Sequence, residues 1–190
     1  MRILRLFSLL FVLMVFIMGC ATPLQMSIQG NETLFRNYTS ATVGTFEDIS
    51  EPVGNTDEQR QAYKDTLKVV CKTFTEYLTQ EIQRSGIYPT VVKDPQSPSE
   101  STLIISGFVH KYDKGNAALR FLIGFGAGSS LFHATIHFKD GKSGKILGTI
   151  SNNGSSWIGG GSIASSQNVD VLMRDAAAHV ALELLRVRQN

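Results

Sequence analysis

GFVHKYDKGNAALRFLIGFGAGSSLFHATIHFKD, running from Gly107 to Asp140, is the stretch whose reading decides the fold. Its last third alternates strictly. Phe132, Ala134, Ile136 and Phe138 fall on one parity; Leu131, His133, Thr135, His137 and Lys139 fall on the other. That period of two predicts an amphipathic strand over 131–139. Before it, residues 102–112 carry apolar side chains on both parities, which predicts a central strand covered on two faces. Asp113-Lys114-Gly115-Asn116 is a turn signal, and the run from Lys139 to Lys145 is a hairpin loop whose partner strand returns over 146–151.

Working outward, residues 39–49 are rich in Thr, Val and Phe and end in the turn cluster Ser50-Glu51-Pro52-Val53-Gly54-Asn55, so they read as the first strand. Over 57–84 the apolar residues Tyr63, Leu67, Val70, Cys71, Phe74, Leu78 and Ile82 recur at helical spacing. Thr56 or Asp57 suits the cap, and Ser85-Gly86 supplies the stop. Residues 88–93 are a brief strand, followed by a loop holding Pro95 and Pro98. From Asn168 to Arg188 the stripe Val169, Leu172, Met173, Ala176, Val180, Leu184 and Val187 predicts a closing helix. The expected architecture is an α+β, or α/β, sandwich: a mixed, largely antiparallel sheet of about five strands with two main helices packed on it.

The chain opens MRILRLFSLLFVLMVFIMGC, two arginines and then an apolar run too short to span a bilayer comfortably, which reads as a secretion signal. Ile17-Met18-Gly19-Cys20 resembles the lipobox of bacterial lipoproteins. The resemblance implies cleavage before Cys20, a diacylglyceryl thioether on its sulfur and an acyl group such as palmitate on its amine. At about 0.8 kcal/mol per buried methylene, such chains sum to roughly 30 kcal/mol and would hold the protein on its membrane. Ala21, where an aspartate would signal retention in the inner membrane, implies the outer membrane. The expected organisation is a signal peptide over 1–19, a flexible tether over 20–38, and a single globular periplasmic domain over 39–190. Loss of Arg2 and Arg5 with the signal would bring 18 basic residues into balance with the 16 acidic ones. A balanced chain lacks the basic excess of a nucleic-acid binder. There are two cysteines, so acylation of Cys20 would leave Cys71 without a disulfide partner, its stripe position placing it in the core.

Chemistry-bearing patterns are sparse. Gly124, Gly126 and Gly128 lack the third glycine and following helix of a dinucleotide fingerprint, and suggest instead a bare strip of backbone where something packs closely. Gly144-Lys145 is followed by Ile146 and fails the phosphate-loop spacing. His133 and His137 stand about 13 Å apart on a strand, too far for one metal ion. Asp175, His179 and Glu183 form a row on the outer face of the closing helix, which reads as a charged solvent face. His110 has no serine or cysteine partner in sequence. Asp113, Arg120 and Asp140 read as turn formers and a cross-strand ion pair, or with Arg120 as a ligand anchor. Trp157, in a glycine-rich segment, is a candidate partner anchor. No cofactor or metal is expected.

The run from Gly107 to Gly148, with Ala118-Leu119-Arg120, Gly124-Phe125-Gly126-Ala127-Gly128-Ser129 and Ser143-Gly144-Lys145, resembles the family called domain of unknown function 4410, whose members are bacterial lipoproteins. That resemblance brings no catalytic residues. The element order is also similar to small periplasmic domains of envelope lipoproteins that activate synthases or build secretion pores, and fold alone does not fix function. The expected role is a non-enzymatic outer-membrane lipoprotein acting as an envelope assembly or interaction module, with Arg120, Gly124, Gly126, Gly128 and Trp157 as contact residues and an envelope protein, or further copies of the chain, as partner. Two alternatives stay open: a subunit of an oligomeric secretion or pore-type assembly using the segment Phe121–Phe132, and a small-ligand-binding or hydrolytic domain using His110 and Arg120.

Overall fold

The alternating strand and its neighbours form the middle of a seven-stranded mixed sheet in a computed structural model that describes residues 28–30, 32–94, 99–115, 130–155 and 168–189. In chain order the elements are β1 (Gln29–Gly30), a 3-10 helix (Glu32–Asn37), β2 (Ser40–Val43), β3 (Glu47–Asp48), α1 (Asp57–Ser85), β4 (Thr90–Lys93), β5 (Thr102–Asp113), β6 (Leu131–Asp140), β7 (Ile146–Ser155) and α2 (Val169–Gln189). The sheet runs β1-β7-β6-β5-β2-β4, and β3 also pairs with β5. The pairs β5–β6, β6–β7 and β1–β7 are antiparallel; β2–β5, β3–β5 and β2–β4 are parallel. The α+β class and the two packed helices are as expected, with short edge strands added.

Residues 39–49, read as one strand, are two. Between β2 and β3 the backbone leaves β5 because side chains claim its amides. Thr45 N–H donates to Asp94 Oδ1 at 2.7 Å and Phe46 N–H to Thr75 Oγ1 at 3.1 Å. The Thr75 hydroxyl in turn donates to the Cys71 carbonyl at 2.8 Å, so helix and sheet are tied through a buried polar link.

Both helices lie on one face of the sheet. Thr56 caps α1, accepting from Gln59 N–H at 3.3 Å, and Gly86 ends it in the left-handed region at φ 65°. The α1 stripe packs Phe74 between Phe46 and Phe132, each 4.8 Å away by ring centroid. Asn168 caps α2 through Val171 N–H at 3.0 Å. At the other end, Arg188 Nη1 donates to the Ile87 carbonyl at 2.7 Å while its guanidinium lies over the Tyr88 ring. The two helices are bridged at their facing sides: Tyr77 O–H and Arg174 Nε both donate to Asp170, at 2.5 and 2.9 Å.

Two expectations need correction. The first is the tether. Its described residues, 28–30 and 32–38, are folded into the domain: Ile28, Phe35 and Tyr38 are buried, Phe35 meets Phe138 edge-on at 5.4 Å, and β1 extends the sheet. Three apolar side chains in a polar segment, without any period, gave no sign of this. The second is the coverage of β5. Leu103, Ile105 and Val109 face the helices and are fully buried, but Ile104 and Phe108 on the opposite face are only half-buried, and no described helix lies over them. A bulge between Val109 and Lys111 then shifts the parity, so that Tyr112 turns inward while His110 and Lys111 are exposed.

Candidate functional site

Parallel pairing brings the carboxyl ends of β3 and β5 to the same end of the sheet, beside the first turns of α1, and there a cavity of about 620 Å³ opens. The carboxyl ends of parallel strands are where open α/β sheets commonly receive ligands. Ser50, Glu51 and Val53 wall it from the loop after β3, Tyr63 and Thr66 from α1, and His110 through Lys114 from the end of β5. The bulge in β5 puts consecutive residues of different character on this wall.

Much of the polar lining is already committed. Ser50 donates through both its amide and its hydroxyl to Asp48 Oδ1, at 2.8 and 2.6 Å. The Thr66 hydroxyl donates to the Ala62 carbonyl at 2.9 Å, and Tyr63 O–H reaches the Tyr112 carbonyl at 3.4 Å. Asp113 Oδ1 accepts from Gly115 N–H at 2.7 Å, the turn role read from the sequence. His110 Nε2 is 2.7 Å from Thr135 Oγ1. Burial, with Asp113 and Asp170 in support, raises the Tyr112 phenol above its ordinary range, so the ring is a neutral wall at physiological pH.

Beyond His110 the open face of the sheet continues across β5, β6 and β7. Ser106, His137 and Thr149 stand in one cross-strand row; Phe108, Thr135 and Ser151 stand in the next. His137 Nδ1 lies 3.1 Å from Thr149 Oγ1, and its ring meets Phe108 edge-on at 5.7 Å. Burial lowers the affinity of both His133 and His137 for a proton, with Lys111 and Lys139 respectively adding repulsion and His110 repelling both. His137 is thus the cross-strand partner of hydroxyl side chains, His133 stands between Lys111 and Asn153, and both sit neutral on a half-buried face.

Of the residues singled out in the sequence, His110 lines the cavity, while Cys20, Arg120, Gly124, Gly126, Gly128 and Trp157 lie outside the described residues. So does most of Phe121–Phe132. Its last two residues belong to β6, and Phe132 is wholly buried against Phe74. Cys71 is buried, and desolvation pushes its thiol up to about 11, which keeps it protonated. In the row on α2, His179 Nδ1 lies 2.9 Å from the Asp175 backbone carbonyl and Glu183 pairs with Arg186 at 3.1 Å, so the histidine and the glutamate are engaged within the helix. Among the described residues, no three His, Cys, Asp or Glu side chains are placed to hold a metal ion. Sequence reading missed Glu51, Tyr63, Lys111 and Lys114 as neighbours, because only the parallel β3–β5 pairing joins residue 51 to residue 111.

The family model described as Domain of unknown function (DUF4410) matches residues 26–160. The chain belongs to this family. The start of the DUF4410 match agrees with the folded segment beginning at Ile28, ahead of the expected domain boundary. No curated protein matches the sequence. Among solved structures, the DUF4410 chain is similar to the PelC dodecamer from Paraburkholderia phytofirmans, at 12% identity over 75% of this chain and 89% of that one, with a TM-score of 0.47. It is similar also to a Xanthomonas campestris protein of the DUF330 family, at 9% identity over 90% and 91%, with a TM-score of 0.47. Both are distant likenesses, and no residue role is carried over from either.

Proposed function

We propose that this protein is a non-enzymatic lipoprotein of the bacterial outer membrane, anchored through Cys20 and facing the periplasm, whose domain serves as an interaction module in envelope assembly. The lipobox resemblance supplies the anchor. The observation that carries the reading is how soon the fold begins. Ile28 is already in the core, so only seven residues lie between it and Cys20, a path of eight Cα-to-Cα steps. At about 3.4 Å per extended step that path reaches at most ~27 Å, which would keep the domain near the lipid surface where membrane-bound partners are met. The half-buried face carrying Ile104 and Phe108, with Ile146 49% exposed at its side, gives such a module a contact surface of mixed character.

Mass spectrometry of the full chain purified from membranes tests this directly. The expected result is a mature N-terminus at Cys20 carrying a thioether-linked diacylglyceryl group and an amide-linked acyl chain, with Cys20→Ser found in the soluble fraction. A free thiol at Cys20 in wild-type protein recovered without detergent would overturn the anchor and the role together.

A further inference from the structure

The cavity at the end of β5 has a polar inventory that the envelope role does not use. Three of its hydroxyls are turned inward: Ser50 to Asp48, Thr66 to Ala62, Tyr63 to Tyr112. One oxygen of Asp113 is held by Gly115. The lining side chains left without a hydrogen-bonding or ion-pairing partner among the described residues are the ammonium groups of Lys111 and Lys114, the carboxylate of Glu51 and the phenol O–H of Tyr112. Lys111 near the end of β5 and Lys114 just beyond it put two cations on one wall, an anchor for negative charge, while Val53 and the rings of Tyr63 and Tyr112 add apolar surface to the lining. At about 620 Å³ the space falls within the range of small-molecule sites.

We propose that this cavity binds a small organic anion with an aromatic body, its charge held by Lys111 and Lys114 and its ring laid against Val53, Tyr63 and Tyr112. Lysine suits this task as a point charge on a flexible stem, making few geometric demands on the anion. Glu51 and Asp113 both oppose the anion and match the two lysines in formal charge. Glu51, whose carboxylate has no partner among the described residues, is the one whose removal tests the electrostatics. The proposal concerns the folded domain and is independent of the chemistry at Cys20.

The probe is naphthalene-2-sulfonate, measured by equilibrium dialysis against the full chain in detergent solution, with detergent alone as the blank. Wild type is expected to bind one equivalent saturably. Lys111→Ala with Lys114→Ala should weaken binding at least tenfold, and Glu51→Gln should tighten it two- to fivefold. All three positions are exposed, so the variants should melt with wild type, which circular dichroism checks. Raising the salt from 50 to 500 mM should weaken the wild-type site and leave the double-lysine variant nearly unchanged. The proposal is overturned if wild type shows no saturable binding, if the lysine replacements leave affinity unchanged, or if Glu51→Gln weakens it.

Discussion

On the helix side of the sheet, Phe132, Ile136 and Phe138 of β6 are wholly buried; one residue along the same strand, His133, Thr135 and His137 on the other side are only half-buried. The backbone and the hydrogen-bond ladders are shared, so the contrast isolates what the covering layer contributes. Against the helices the strands present aromatic and branched residues in edge-on contact. Across the sheet they present rows that mix hydroxyls, imidazoles and single apolar side chains. One face is specified by packing and holds the fold together. The other is held by cross-strand pairs that each contribute little and leave the surface available for contact.

The largest test of that contrast is a pair of phenylalanines. Phe74→Ala should cost about 3–5 kcal/mol, because the ring fills the space between Phe46 and Phe132 and the rigid sheet cannot close the cavity. Phe108→Ala on the open face should cost about 1 kcal/mol, the share of a half-buried ring. Urea denaturation checks both, and equal losses would show that the open face is packed as tightly as the covered one.

A pair of glycines makes the same comparison through the backbone. A Cβ at Gly107 would overlap the Thr135 carbonyl oxygen and come within 2.9 Å of the Phe46 ring, whereas one at Gly44 would meet the Ser106 Cβ at an ordinary 3.6 Å. Gly107→Ala should therefore destabilise by about 1–3 kcal/mol, and Gly44→Ala should be nearly neutral. Thermal melting of the two variants decides it.

Much of the contrast was legible beforehand, and the failures are instructive. The alternation over 131–139 gave the amphipathic strand and its polarity, and the stripes from Tyr63 to Ile82 and from Val169 to Val187 gave both helices, the first with its stop at Gly86. Residues 102–112 misled because Ile104 and Phe108 are apolar on the open face; composition cannot tell a second covering layer from a half-buried open face. The bulge between Val109 and Lys111 shifts which residues face the helices, and a strand apolar on both parities gives no sign of it. Ile28 and Phe35 enter the core only because β1 and the 3-10 helix close over Gly148, where an added Cβ would come within 2.7 Å of Ile28 and 3.2 Å of Phe35. Such long-range packing leaves no local pattern. The cavity was illegible for the same reason, since its walls come from three separate elements.

The rim of the covered face should respond to alkali. Burial first, then the Asp140 carboxylate that accepts its proton at 2.8 Å, pushes the Tyr38 phenol up to about 12; burial pushes Tyr88 up to about 12 as well. In the unfolded chain both ionise near 10, so the unfolded state releases protons first and stability falls as pH rises from 10 to 12. The same contact shows from the acid side. Ser143, through its hydroxyl and its amide, and then Tyr38 hold Asp140 down at about 2, so its stabilising contribution is present above about pH 4 and is lost as pH falls through 2. Tyr38→Phe should reduce both limbs in melting curves taken across pH, with Tyr88 preserving part of the alkaline one.

The smallest effect belongs to the open face. Burial first, then Lys139 and His110, hold the folded His137 below the usual histidine range, so the unfolded chain takes up a proton that the native face resists. Stability from this residue is complete above about pH 6.5 and is lost as pH falls through the lower folded value. His137→Gln keeps a polar partner for Thr149 and removes the titration, so between pH 7 and 5 its melting temperature should fall less than that of wild type. Because His133 is displaced in the same direction by burial and Lys111, the single variant should remove only part of the slope, and the double variant with His133→Gln should remove more. A slope untouched by either change would mean that the imidazoles are fully hydrated and that this side of the sheet is bare surface, with no partial burial to distinguish it from any exposed strand.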